Sequence, residues 1–250
     1  MLTFTEAQVV AWITPLLWPF LRILGLFTSA PVLSMRSVPR RVRVALALLI
    51  TLAAQPSLHD TSGITLNSPL MTGAVAQQVL IGLTMGFAAR VVFAAIEFAG
   101  EMVGLQMGLN FASFFDPTTG GQSTAVSRFY GTIASWLFVV LNGHLLLTAA
   151  AVQSFQAFPV SAEPLAFLAT VQPQVWGTEI FRLGLWIALP IMAMLLLVNM
   201  VMGVMSRVAS QLNIFAVGFP VTLGVGLLGL WMTLPMMQVP FTLALERMLG

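Results

Sequence analysis

Residues 183–206 read LGLWIALPIMAMLLLVNMVMGVMS, twenty-four positions without one acidic or basic side chain. About 20 apolar residues wound as a helix cross a bilayer core. The stretch is therefore predicted to be a membrane helix, broken or bent at Pro190, where the ring removes a backbone donor. Three further charge-free runs lie outward from it, at 61–89, 129–162 and 208–245. The whole chain follows suit: of 250 residues, 58% are hydrophobic and 7% are charged. A soluble domain carries about a quarter charged residues. With a mean hydropathy of +0.97, this chain cannot cover a water-facing surface, and its class is integral membrane or membrane-associated.

Apolar segments fall at about 7–33, 42–54, 70–108, 124–158, 178–206 and 212–245. The predicted fold class is all-α: a membrane-associated bundle of kinked helical hairpins built from about six apolar segments. Segment 42–54 is about 20 Å long as a helix and fits a buried or partial crossing. Pro15 and Pro19 interrupt the first segment, and Pro220, Pro235 and Pro240 the last. Carbonyls freed by proline need partners in lipid, so such helices pack against other protein. At the start of the chain, Thr5 and Gln8 have the spacing of a capping box, and no basic n-region of a secretory signal precedes them.

Orientation rests on few charges. Arg36, Arg40, Arg41 and Arg43 cluster after the first segment, and Arg207 lies between the fifth and sixth. By the positive-inside rule these turns face the cytoplasm and both termini face out. All ten basic residues are Arg, and the net charge is only +2. Arginines scattered among apolar helices do not make a nucleic-acid footprint. There is no cysteine, which excludes disulfides, thiol nucleophiles and Cys–metal sites. No cofactor is expected.

Several motifs have both a functional and a plainer reading. Gly224, Gly226 and Gly229 spell G-x-G-x-x-G, but inside an unbroken apolar run rather than after a strand, so helix packing is the expectation. Gly100, Gly104 and Gly108 recur every four residues and form a smooth helical ridge; Gly82 and Gly86 start a similar one. Such ridges let helices approach closely, either within the chain or against another subunit. Arg90, Glu97 and Glu101 share one helical face, with Arg90 and Glu97 about 10 Å apart along the axis. Each is expected to find a partner on another helix or another chain, as an ion-pair seam or a subunit interface. His144 lacks the acidic or cysteine neighbours of a metal site. No nucleophile elbow surrounds Ser127 or Ser135, so a hydrolytic dyad is disfavoured. Fifteen methionines suit irregular core gaps or a deformable seal around a pore.

The segment NFASFFDPTTGGQ at 110–122 stands apart. Asp116-Pro117 and Gly120-Gly121 stop a helix. Irregular backbone at membrane depth is tolerated where protein or a water-filled cavity surrounds it. Phe on a Gly-hinged loop can form a hydrophobic obstruction, or can anchor a surface turn to the interface.

Three blocks carry a resemblance to a known family. They are PVLSMRSVPRRVRVALALLI at 31–50, GLQMGLNFASFFDP at 104–117 with GHLLLTAAAVQSFQAFP at 143–159, and SRVASQLNIFAVGFPVTLGVG at 206–226. In order and content they resemble the FliR family of flagellar export-gate proteins, over nearly the whole chain. One departure is Ser210, where many relatives have Pro. The resemblance implies a single gate chain, with a FliP-like portion over about 1–170 and a FliQ-like helical hairpin over 171–250. It implies assembly with FliP and FliQ subunits and FlhB in a bacterial inner-membrane basal body, extended toward the periplasm. It implies conduction of unfolded flagellar proteins rather than enzymatic activity. It also implies a pore-closing loop comprising Asn110, Phe111, Phe114, Phe115, Asp116, Pro117, Gly120 and Gly121. The alternatives are the equivalent subunit of a virulence injection system and, from a different class, a stand-alone solute transporter.

Overall fold

The computed structural model describes residues 5–58, 64, 68–109, 123–161, 163, 165–208 and 214–249. Among them the regular structure is helical: α1 (Glu6–Ser29), α2 (Arg40–Ala54), α3 (Met71–Gln106), α4 (Ala125–Val140), α5 (Gly143–Ala157), α6 (Pro173–Val208), α7 (Ile214–Thr233) and α8 (Gln238–Leu249). Short 3-10 turns occupy Gln55–Ser57, Ala166–Ala169 and Leu234–Met237. The expected helices thus fall on the apolar segments. Three stretches are long and apolar enough to cross a membrane: α3, α6 and the run Val217–Leu249. The pair α4 and α5 makes a fourth if taken together.

Local chemistry explains the ends and breaks. Gln8 Oε1 accepts from the Thr5 amide at 3.1 Å and closes the first turn of α1, as the capping spacing predicted. The helices run on through Pro15, Pro19, Pro190 and Pro220. Pro235 instead marks the 3-10 turn between α7 and α8. Segment 124–158, read from the sequence as one stretch, is broken at Leu141–Asn142. Asn142 adopts φ +56°, a left-handed conformation that Asn tolerates better than most residues, and its carbonyl accepts from the amides of Leu145 and Leu146 to start α5.

The chain divides into two compact units, one of residues 1–90, 142–174 and 246–250, the other of 91–141 and 175–245. In the first unit, Trp18, Ile64, Ala74 and Phe155 form a buried cluster flanked by Leu17, Leu21, Met71 and Val75. Here α1 and the first half of α3 meet through glycine. A methyl group at Gly25 would come within 2.7 Å of the Val79 carbonyl oxygen, and one at Gly82 would overlap the Arg22 carbonyl. Ser29 Oγ donates across the pair to the Leu83 carbonyl at 3.0 Å. Close small-residue crossings of this type hold membrane helices together by dispersion and short polar contacts.

In the second unit, Phe93 packs edge-to-face on both Phe138 and Phe241, with ring centroids 5.8 Å apart in each case. Phe98 does the same with Phe181 at 5.2 Å. Gly184 admits Phe98 and the Ala95 carbonyl to the surface of α6.

Candidate functional site

The glycine ridge on the second half of α3 meets α4. A methyl at Gly100 would lie 2.6 Å from Ser127 Cα, and one at Gly104 would lie 2.7 Å from Thr124 Oγ1. The structure therefore uses both glycines for packing within the chain. Gly108 has a different task. It adopts φ +78°, while its amide bonds to the Leu105 carbonyl and the Leu109 amide to the Gly104 carbonyl. These are the two bonds of a Schellman C-cap, in which a left-handed residue is best supplied by glycine.

The charged stripe is divided between different neighbours. Arg90 Nη2 donates to Ser34 Oγ at 3.2 Å. Glu101 Oε1 accepts from the backbone amide of Thr124 at 2.8 Å. Thr124 is the N-cap of α4, and its own hydroxyl accepts from the Ser127 amide at 3.1 Å. The Glu97 carbonyl accepts from Ser127 Oγ at 2.9 Å, and its side chain packs where Gly131 leaves room. A carboxylate at the start of a helix is also stabilised by the positive end of the helix dipole.

These contacts place two anchors on one turn of α3. Gly104 fixes Leu109, the last described residue before 110. Glu101 fixes Thr124, just after 122. Leu109 and Thr124, on either side of 110–122, are therefore both held by the same turn of α3. The loop residues expected from the sequence, Asn110, Phe111, Phe114, Phe115, Asp116, Pro117, Gly120 and Gly121, lie outside the described residues. Replacing Glu101 by Ala should cost about 1.5–3 kcal/mol, the range for a hydrogen bond to a charged acceptor. Glu101→Gln, which keeps an acceptor, should fall between the two. Tryptophan-monitored unfolding of the detergent-solubilised chain measures this; equal midpoints for Glu101→Ala and the parent would refute the anchor.

Beside the first anchor opens a cleft of about 760 Å³ lined by Gln106, Met107, Asn199, Ser206, Phe219 and Thr222 among others. Thr222 Oγ1 donates to the Met107 carbonyl at 3.3 Å, and Ser206 Oγ to the Gly203 carbonyl at 2.6 Å. Among the described residues no titratable side chain lines it, so the described lining offers no acid or base. The serines considered for a dyad are likewise committed, Ser127 to the Glu97 carbonyl and Ser135 to the Gly131 carbonyl at 2.9 Å. No group of three potential metal ligands occurs among the described residues. In α7, Gly226 meets Met107 and Gly229 meets Ile191 and Met194, so two glycines of the G-x-G-x-x-G are packing positions, while Gly224 faces open space.

A second polar node was missed in the sequence reading. Arg22 on α1 is fully buried. Its Nε donates to Gln78 Oε1 at 2.8 Å, Nη1 to Ser154 Oγ at 2.8 Å and Nη2 to the Phe158 carbonyl at 2.7 Å. The guanidinium carbon lies 3.5 Å from the centre of the Phe155 ring. Gln77 extends the network: its amide donates to Ser161 Oγ at 2.9 Å and its oxygen accepts from the Ser161 and Gln78 amides. The signal was available, because an arginine inside LLWPFLRILGLF is costly in a membrane segment unless partnered.

The family model for bacterial export proteins, family 1, matches residues 13–248. The chain belongs to the FliR family. The flagellar biosynthetic protein FliR of Pectobacterium carotovorum is 44% identical over 248 residues, covering 96% of this chain and 92% of the relative. FliR of Escherichia coli is 43% identical, covering 91% and 87%. FliR of Bacillus subtilis is 28% identical, covering 92% and 91%. Membership accounts for the apolar helices, and the chain is a membrane protein of the export type.

Proposed function

We propose that this chain is a subunit of the flagellar type III export gate. With FliP and FliQ it forms the pore through which unfolded flagellar proteins leave the cell, and FlhB docks on the assembly. The gate lies in the inner membrane and extends toward the periplasm; the chain is not an enzyme. Residues 110–122 form a loop that helps close the pore, with Phe111, Phe114 and Phe115 as the obstructing groups. The observation that carries the loop reading is the pair of anchors on α3. A thirteen-residue excursion hung from Glu101 and Gly104 on one helical turn has a fixed base, and Gly120 and Gly121 leave its distal part free to move aside. Hydrophobic groups suffice for closure, since an apolar constriction blocks ions by dewetting.

The division into a FliP-like portion over about 1–170 and a FliQ-like hairpin over 171–250 belongs to the same proposal. It is supported by α6 and α7, which lie side by side in opposite directions: Ile191 and Met194 meet Gly229, while Gly203 and Ser206 share a cleft with Gly218 and Thr222.

Two experiments test the reading. Deleting the gene should abolish hook and filament proteins from the culture medium, and the intact chain should restore them; continued export would refute the flagellar assignment. Deleting residues 111–115 should make resting membranes leak ions while the gate still assembles. Unchanged conductance in an assembled gate would refute the loop's role and leave the subunit assignment standing.

A further inference from the structure

We infer that α2 and the turn before it form the docking face for a helix of a neighbouring subunit, one that is apolar where it covers Leu48 and Leu52 and carries a carboxylate where it meets Arg40 and Arg41. The inference rests on the reading of the chain as one subunit of an assembly. The turn is ordered. The Leu33 amide bonds to the Pro31 carbonyl at 2.7 Å across Val32, which is held at φ +63°. A three-residue turn with a positive φ at its centre is rare and strained, and a β-branched residue keeps that conformation only where its surroundings enforce it. Arg43 Nη2 donates to the carbonyls of Met35 and Val38 at 2.7 and 3.2 Å and fixes the rest of the turn. From α3, Arg90 adds a bond to Ser34 Oγ. Arg36, Arg40, Arg41 and Arg90 are exposed, and among the described residues no carboxylate pairs with any of them.

A topology signal needs basic residues in the turn, but not this order, nor a cation brought in from α3. Helix stability does not explain the placement either. Arg40 and Arg41 open α2, whose first turn contains no acidic residue, and cations at a helix N-terminus oppose the macrodipole. An external carboxylate resolves that conflict, because arginine pairs with it through two parallel hydrogen bonds.

The rest of α2 selects protein as the source of that carboxylate. The helix has 15 residues, about 22 Å at 1.5 Å per residue, which is short of a bilayer core of about 30 Å. Ala47 and Thr51 are its buried residues, while Val42, Val44, Leu46, Leu48, Leu49 and Leu52 are exposed. A helix that is apolar on nearly all sides and too short to span lipid packs into protein. In a gate that extends toward the periplasm, neighbouring subunits supply that cover. Arg41, Val44, Leu48 and Leu52 follow one another at spacings of three and four and share one face. A single helix laid along this face therefore meets aliphatic side chains over about 12 Å and a guanidinium at one end. Charged groups at the edge of an apolar contact fix its register and exclude wrong partners.

The chain contains no lysine, so Arg40→Lys or Arg41→Lys introduces a single one without changing the charge. A water-soluble carbodiimide, applied to membranes of cells that make the whole assembly, condenses that ammonium with a carboxylate in contact. Either variant should form an amide with Asp or Glu of a second polypeptide, located by mass spectrometry. A photo-crosslinking p-benzoylphenylalanine at Leu48 should capture the same polypeptide about seven residues from that carboxylate, the separation of Arg41 and Leu48 along their shared face. Arg41→Glu should lower co-purification of that polypeptide about tenfold, and an arginine in place of the mapped carboxylate should restore it. No adduct from either lysine overturns the inference. So does an adduct only to this chain's own Asp60, Asp116 or Glu163, which would make the pairing internal, or capture of a different polypeptide or of lipid alone at Leu48. The gate reading is judged separately. If export stops on gene deletion but no adduct forms, the docking face alone fails; if the adduct forms while export survives the deletion, the gate reading alone fails.

Discussion

Replacing Arg22 by Met should destabilise the chain by about 3 kcal/mol or more. The side chain is fully buried, and its three hydrogen bonds end on Gln78, Ser154 and the Phe158 carbonyl. Removing the donor leaves these acceptors in the interior, at about 1–3 kcal/mol each where water cannot reach. The contact with Phe155 is lost as well, worth about 2 kcal/mol for a desolvated cation over a ring. Replacing a complete buried charged cluster by apolar residues can be neutral, but removing one member is not. Lys should rescue poorly. Its ammonium is a single point, whereas the guanidinium reaches three acceptors on α3, α5 and the chain after α5 from three separate nitrogens. The thermal midpoint of the solubilised chain and its abundance in membranes are the readouts. The expected order is parent, then Arg22→Lys, then Arg22→Met; a Met variant as stable as the parent would show that the node is dispensable.

Much of the helical layout was legible in the sequence because the membrane imposes a single rule. Backbone groups in an apolar run must bond within the helix, so apolar length places α3, α6 and α7 to a first approximation, although α3 carries Arg90, Glu97 and Glu101. Breaks were harder to read. The proline positions suggested interruptions at 15, 19, 190 and 220, yet helix continues through all of them, since packed neighbours and shifted carbonyls can absorb the missing donor. The break that does split a segment falls at Leu141–Asn142, where a left-handed Asn leaves only a weak mark in the sequence.

The site was legible in part and for definable reasons. A repeat of glycine every four residues shows a ridge but not its partner. Only the fold shows that Gly82 and Gly86 face α1 while Gly100 and Gly104 face α4. The repeat also concealed a change of role, because Gly108 caps the helix through its backbone conformation. Arg90, Glu97 and Glu101 share a face in sequence, yet Arg90 serves a turn and Glu101 a helix cap, which no spacing rule on α3 alone could separate. The Arg22 node depends on Gln77, Gln78, Ser154 and Ser161. Polar, uncharged residues of that kind draw little notice one at a time, and only contact between α1, α3 and α5 makes them a unit.

Replacing Gly82 by Ala should be among the most damaging single-methyl changes in the chain. The new Cβ would overlap the Arg22 carbonyl oxygen and lie 2.8 Å from the Leu26 nitrogen. Both are backbone atoms of α1, so no rotamer change relieves the clash, and the two helices must part. Overpacking of this sort costs about 1–3 kcal/mol, occasionally more. Parting would also stretch the Ser29–Leu83 bond and draw Arg22 from Gln78, which puts the cost at or above the top of that range. Two other glycines provide the comparison. At Gly226 the methyl would meet Met107 Cγ, Sδ and Cε at 2.6 Å, atoms of one flexible side chain rather than backbone, so Gly226→Ala should cost less than Gly82→Ala. At Gly224 nothing lies within 4 Å, and Ala there should be neutral or stabilising by up to about 1 kcal/mol through helix propensity. Unfolding midpoints for the three variants, measured with the same partners bound, should rank Gly224, Gly226, Gly82 from mildest to most severe. If Gly82→Ala melts with Gly224→Ala, α1 and α3 do not pack backbone to backbone, and the geometry that buries Arg22 falls with that contact.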